Sequence, residues 1–92
     1  MSLNDIIFID NLPTIDLHGI DRNGAIVYIK QFITENYIMK NKFIVIMHGI
    51  GNHILKQTTH NYLKTEKRVN DYKLLYNNIG CTIVELKIDK ER

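Results

Sequence analysis

The chain has one cysteine, Cys81, in 92 residues. No internal disulfide can form, which excludes the small secreted scaffolds that depend on cross-links. No apolar run approaches the roughly 20 residues of a membrane-spanning helix. Met1-Ser2-Leu3-Asn4-Asp5 lacks the basic-then-apolar layout of a signal peptide. The expected compartment is the cytoplasm, with no membrane partner. Charge of one sign is also scarce: 12 Lys and Arg against 10 Asp and Glu leave a formal +2. That balance neither demands a polyanion nor repels one, so only the placement of charges can matter. Internal repeats and low-complexity tracts are absent. What is present is ordinary for a soluble globular chain, and its length allows one domain with one core.

Residues 1–12 carry Ile6, Ile7, Phe8 and Ile9 and read as an extended arm or linker, leaving 13–92 as the domain. Pro13, the single proline, punctuates. Thr14-Ile15-Asp16-Leu17-His18 alternates polar and apolar residues as a half-buried strand does, and Gly19 ends it. Asp21 is suited to cap a helix. That helix has apolar positions at Ala25, Ile29, Phe32, Ile33 and Asn36-Tyr37 and fades near Met39-Lys40-Asn41. Phe43–Met47 is continuously apolar and β-branched at its centre, as a mid-sheet strand is. After His48-Gly49-Ile50-Gly51, Asn52 can cap a second helix with Ile54, Leu55, Thr58, Tyr62 and Leu63 on its buried side. Thr65–Asn70 reads as a charged loop. Tyr72–Tyr76 and Cys81–Ile88 read as strands joined by a hairpin at Asn77-Asn78-Ile79-Gly80. The order βαβαββ gives an α/β fold, a two-layer sandwich on a mixed four-stranded sheet whose first two strands are parallel.

Two glycine turns stand out, Asp16-Leu17-His18-Gly19 and His48-Gly49-Ile50-Gly51. Both follow strands of the parallel pair, at the sheet edge where α/β proteins gather their sites. If those strands are neighbours, His18 and His48 lie about one strand spacing of ~4.8 Å apart at the backbone. Asp16 is two residues from His18, on the same strand face, where a carboxylate can hold an imidazole in one tautomer. A neutral imidazole is suited to taking a proton from a hydroxyl or a water. Gly49 and Gly51 let the backbone approach a ligand, the following helix N-terminus attracts anions, and Lys56 adds a cation one turn in. These parts suit a phosphodiester. Each also has a plainer use: a strand-end histidine as a solvated residue, Gly-x-Gly as a turn, Cys81 as a small buried side chain, and Lys64, Lys67 and Arg68 as a solvated loop rather than a phosphate track. The spacing is not that of a P-loop. His53 and His60 stand seven apart on one helix, too far for one ion, and no cysteine pair supports a metal site.

The two turns, in this order and separation, resemble the Asp-Leu-His-Gly and His-Gly-x-Gly motifs of the Smr (small MutS-related) family. The resemblance extends through Asn52–Leu63 and Gly80-Cys81-Thr82-Ile83-Val84-Glu85-Leu86, covering roughly residues 12–88. It implies a two-layer fold similar to the C-terminal domain of bacterial translation initiation factor three. It also implies an association with DNA nicking and with cleavage of mRNA on stalled ribosomes. Asp16 and His18 then carry the catalytic motif, joined by His48, while Gly19, Gly49, Gly51, Asn52 and Lys56 form the phosphate-binding set. One departure is Ile50, where the family commonly has Lys or Arg.

The leading expectation is an endonuclease acting on RNA or DNA. On RNA, His18 deprotonates the 2′-OH, Asp16 orients it, and no metal is required. On DNA, an attacking water calls for a divalent ion such as Mg²⁺, held by Asp16. The alternative is a non-catalytic module that brings a ribosome or a MutS-like ATPase to nucleic acid. A third class is a domain that binds a small nucleotide or anion through the Gly49–Gly51 turn.

Overall fold

A computed structural model describes residues 11–51, 53–75 and 79–88. In chain order the elements are β1 (Thr14–Asp16), α1 (Arg22–Ile38), β2 (Phe43–Met47), α2 (His53–Thr65), β3 (Val69–Leu74) and β4 (Cys81–Leu86). The strands form one four-stranded sheet in the order β1-β2-β4-β3. β1 runs parallel to β2, while β4 pairs antiparallel with both β2 and β3. The expected βαβαββ arrangement is therefore the observed one. The arm over residues 1–10 lies outside the described residues, as do Asn52 with its expected cap and the Asn77-Asn78 part of the hairpin.

Alternation along the strands sorts the core. Ile44 and Ile46 of β2, with Val84 and Leu86 of β4, meet Ala25, Ile29 and Ile33 of α1 and Leu55 and Leu63 of α2 in one cluster. Both helices thus cover one sheet face. Val45, Cys81, Ile83 and Leu75 form a second cluster on the other face, with Leu12, Phe43 and Met47 packed against it. Cys81 is the small buried strand residue it was expected to be. Burial pushes its thiol pKa up, and the negative charge of Asp16 adds to the effect.

Asp21 caps α1 as expected, its carboxylate accepting from the Gly24 N–H at 2.8 Å. Asn36, counted with the apolar stripe, is buried. Its amide donates to the Phe32 carbonyl and accepts from the Asn41 side chain, both at 2.8 Å, which ties the end of α1 to the turn into β2.

Three expectations need correction. Ile54 is 64% exposed, because the buried stripe of α2 runs through Leu55, Thr58, Thr59 and Leu63 and Ile54 falls outside it. The Thr65–Asn70 segment is not all loop. Val69 and Asn70 begin β3, Val69 paired with Leu86 and sunk in the core, and a register shift lies between Val69 and Asp71. Arg68 is not a solvated cation either. It donates to Glu66 at 2.9 and 3.1 Å and to Thr34 on α1 at 2.9 Å. The Tyr62 hydroxyl donates to the same carboxylate at 2.6 Å. The Arg68 guanidinium bonds, with those of Tyr62, hold the Glu66 carboxyl down at about 2 despite its burial.

Candidate functional site

β1 and β2 deliver the two glycine turns side by side. The register pairs Asp16 with Met47, and the Leu17 N–H donates to the Met47 carbonyl at 2.9 Å. Beyond Asp16 the chain leaves the strand and turns. The Ile20 N–H closes onto the Leu17 carbonyl at 3.0 Å, with Gly19 at φ 79°, the conformation that a glycine supplies without strain. His18 occupies the exposed corner of this turn. The Asp16 carboxylate accepts from the His18 main-chain N–H at 2.9 Å, an Asx-type contact. It orients His18 through the backbone of the turn. A contact with the imidazole was the expectation, and it would have required the strand to continue to residue 18.

His48 has the opposite setting. Continuing the alternation of Ile44 and Ile46, it points into the helix layer and is 2% exposed. Its Nε2 lies 2.9 Å from Thr82 Oγ, and its Nδ1 lies 3.2 Å from the Gly49 carbonyl. His60 of α2 places its own Nε2 2.8 Å from the same Thr82 hydroxyl. A carbonyl only accepts, so His48 Nδ1 carries a proton, and its Nε2 accepts from the Thr82 O–H. The Thr82 oxygen in turn accepts from the N–H of His60 Nε2. One hydroxyl thus joins two neutral imidazoles. Burial holds both below the ordinary histidine value of 6.5. The Lys56 charge lowers both further, and His48 and Lys64 act on His60 in the same direction.

The second turn is also tied down from β4. The N–H groups of His48 and Gly49 both donate to the Gly80 carbonyl, at 2.9 and 3.0 Å. The approach is so close that a Cβ on Gly80 would sit 3.1 Å from Ile50 Cγ1 and 3.2 Å from main-chain atoms of Gly49 and Ile50. Gly80, Thr82 and His60 therefore support the site although sequence reasoning missed them. The signal available was Gly80 and Thr82 inside the closing-strand resemblance. Ile50 is 67% exposed at the turn's outer corner.

A cleft of about 460 Å³ opens between the starts of the two helices, lined by Ile20, Asp21, Arg22, Ile54 and Leu55. A second groove of about 380 Å³ runs along α2 beside β3, lined by His53, Lys56, Gln57, His60, Asn61, Lys64 and Tyr72. Among the described residues, no group of three or more His, Cys, Asp or Glu side chains is placed to hold a metal ion.

Comparison with known proteins agrees with this architecture. The Smr domain family profile matches residues 15–87. Endonuclease MutS2 of Clostridium tetani is 33% identical over 76 residues, covering 79% of this chain and 10% of the relative. Endonuclease MutS2 of Brevibacillus brevis is 30% identical over 82 residues, covering 85% and 10% respectively. The chain thus spans about a tenth of the length of these curated relatives. The Smr domain of Thermus thermophilus MutS2 superposes with a TM-score of 0.80 at 24% identity, over 83% of this chain and 99% of that one. YdaL, a stand-alone small MutS-related protein from Escherichia coli, gives 0.75 at 17% identity, over 79% and 63%. Both structural likenesses are likenesses of fold. The family match takes in both glycine turns and the closing strand, and this chain belongs to the Smr domain family.

Proposed function

We propose that this Smr domain binds nucleic acid across the edge formed by its two glycine turns and cleaves the phosphodiester presented to His18. The observation that carries this reading is the contrast between the two motif histidines. His18 stands exposed on a turn held by Asp16. His48 is buried with both ring nitrogens engaged. His18 is thus the group free to exchange a proton with a substrate, and His48 is a positioning residue that fixes the Gly49–Gly51 turn.

On RNA, the His18 imidazole takes the proton of the 2′-OH, and the 2′-oxygen attacks the adjacent phosphorus. The bond to the 5′-oxygen breaks, and that oxygen takes up a proton. The products are a 2′,3′-cyclic phosphate and a 5′-hydroxyl. Charge on the phosphorane is met by the Gly51 end of the second turn, the positive end of the α2 dipole, and Arg22 at the cleft. No step in this sequence passes through a metal. RNA is favoured over DNA because the 2′-OH supplies the nucleophile that one imidazole can activate. The relatives named Endonuclease MutS2 lend support to a nuclease.

A second reading, binding without cleavage, draws on Ile50. An exposed apolar side chain stands where the family resemblance expects a cation, and a charge-assisted contact there is worth about 1.5–3 kcal/mol. The test is cleavage of labelled single-stranded RNA and supercoiled DNA, each with Mg²⁺ and with EDTA. RNA cut in EDTA supports the first reading. Salt-sensitive binding with neither substrate cut selects the second.

A further inference from the structure

We propose that the groove between α2 and β3 is a track for one single strand of nucleic acid leading to the glycine turns, with Lys56 and Lys64 on its phosphates and Tyr72 as a platform for a base. This rests on the nucleic-acid reading above and extends it to a surface outside the two motifs.

Three observations support it. The first is charge: Lys56 and Lys64 line the groove, and no acidic residue does among the described lining. Among the described residues neither Lys56 nor Lys64 pairs with a carboxylate. The ion pairs there are Lys42 with Glu85 and Arg68 with Glu66. The second is direction. His53 and Lys56 lie in the first turn of α2, directly after the His48–Gly51 turn. From Lys56 to Lys64 the helix advances ~12 Å, a distance that a few nucleotides cover. The third is the aromatic wall. Tyr72 is half-buried, packed against the core and held edge-on by His60, with ring centroids 5.1 Å apart. It is a rigid ring at the groove surface, and every base has a face that can stack on such a ring.

The shape favours a single strand. A groove of about 380 Å³ can take a base, and a duplex keeps its bases stacked inside. His60 also links the groove to the motif turn, because its ring and that of His48 share the Thr82 hydroxyl. A strand in the groove therefore contacts the same hydrogen-bonded unit that fixes Gly49.

The test is fluorescence anisotropy of labelled single-stranded RNA and DNA oligonucleotides over a range of salt, with a duplex of equal length as competitor. Lys64→Gln should weaken binding about five- to tenfold and lower the salt slope by about 0.7. Tyr72→Leu should weaken it about tenfold with the slope unchanged. Lys30→Gln, an equal loss of charge on the exposed side of α1, should leave the slope as in the native protein. Matching effects of Lys30→Gln and Lys64→Gln, or a duplex that competes as well as a single strand, overturn the track while the functional reading stands. Absence of any salt-sensitive binding by the native protein overturns both.

Discussion

Replacing Thr82 with valine removes one hydroxyl, keeps the side-chain volume, and takes away the oxygen that bonds both His48 and His60. The hydroxyl makes two contacts, at 2.9 Å to His48 Nε2 and 2.8 Å to His60 Nε2. A typical hydrogen bond contributes about 1 kcal/mol net, and a buried polar atom left without a partner costs about 1–3 kcal/mol. His48 is 2% exposed, so its Nε2 has no route to water. His60 is only half-buried and can recover part of its loss from solvent. The expected destabilisation is about 2–4 kcal/mol, mostly from His48. Urea denaturation above pH 7 measures it, and an unchanged m-value would show that the denatured state is not responsible. Thr82→Ser keeps the hydroxyl and should recover most of the difference. A loss below about 0.5 kcal/mol for valine would refute the bridging role.

Burial lowers the pKa of both His48 and His60 from 6.5, so the unfolded chain binds protons that the native one does not. The stability they contribute should be complete above about pH 6.5 and should fall as the pH drops below it. A flat profile between pH 7 and pH 5 would contradict this. Glu66 has its pKa lowered to about 2, and its side chain is 9% exposed. Its contribution of up to about 3 kcal/mol should be present above the ordinary carboxylate range and be lost as the pH falls through about 2. The stability difference between native and Glu66→Gln proteins should therefore close in acid. A Cβ at residue 80 would meet Ile50 and Gly49 at 3.1–3.2 Å. Gly80→Ala should cost about 1–3 kcal/mol and shift the amide resonances of residues 48–50, and unmoved resonances would show that the turn tolerates the methyl.

Much of the architecture was legible because it is local. Alternation marked β1, an apolar run marked β2, and Asp21 marked the start of α1. The glycine turns were visible as motifs, and the parallel pairing of β1 with β2 follows from a right-handed crossover. What escaped depends on contacts between distant segments. β4 lies between β2 and β3, and only that insertion brings Thr82 beneath His48 and His60. The same strand sets Gly80 against the His48–Gly51 turn. Val69 read as loop because its neighbours are charged, yet pairing with Leu86 draws it into the sheet. Arg68 read as a free cation because Thr34, one of its partners, lies 34 residues away on α1. Asp16 and His18 stood out in the sequence as a pair, and the link between them runs through the main chain, since β1 ends at Asp16.

The most direct test of the central claim is end-group analysis of RNA incubated in EDTA with the native protein and with His18→Ala. The native protein should leave 2′,3′-cyclic phosphate and 5′-hydroxyl ends. The rate should fall about 10²–10⁴-fold in the variant, with urea stability unchanged because His18 is exposed. Undiminished cleavage by His18→Ala, or products bearing 5′-phosphates, would contradict it.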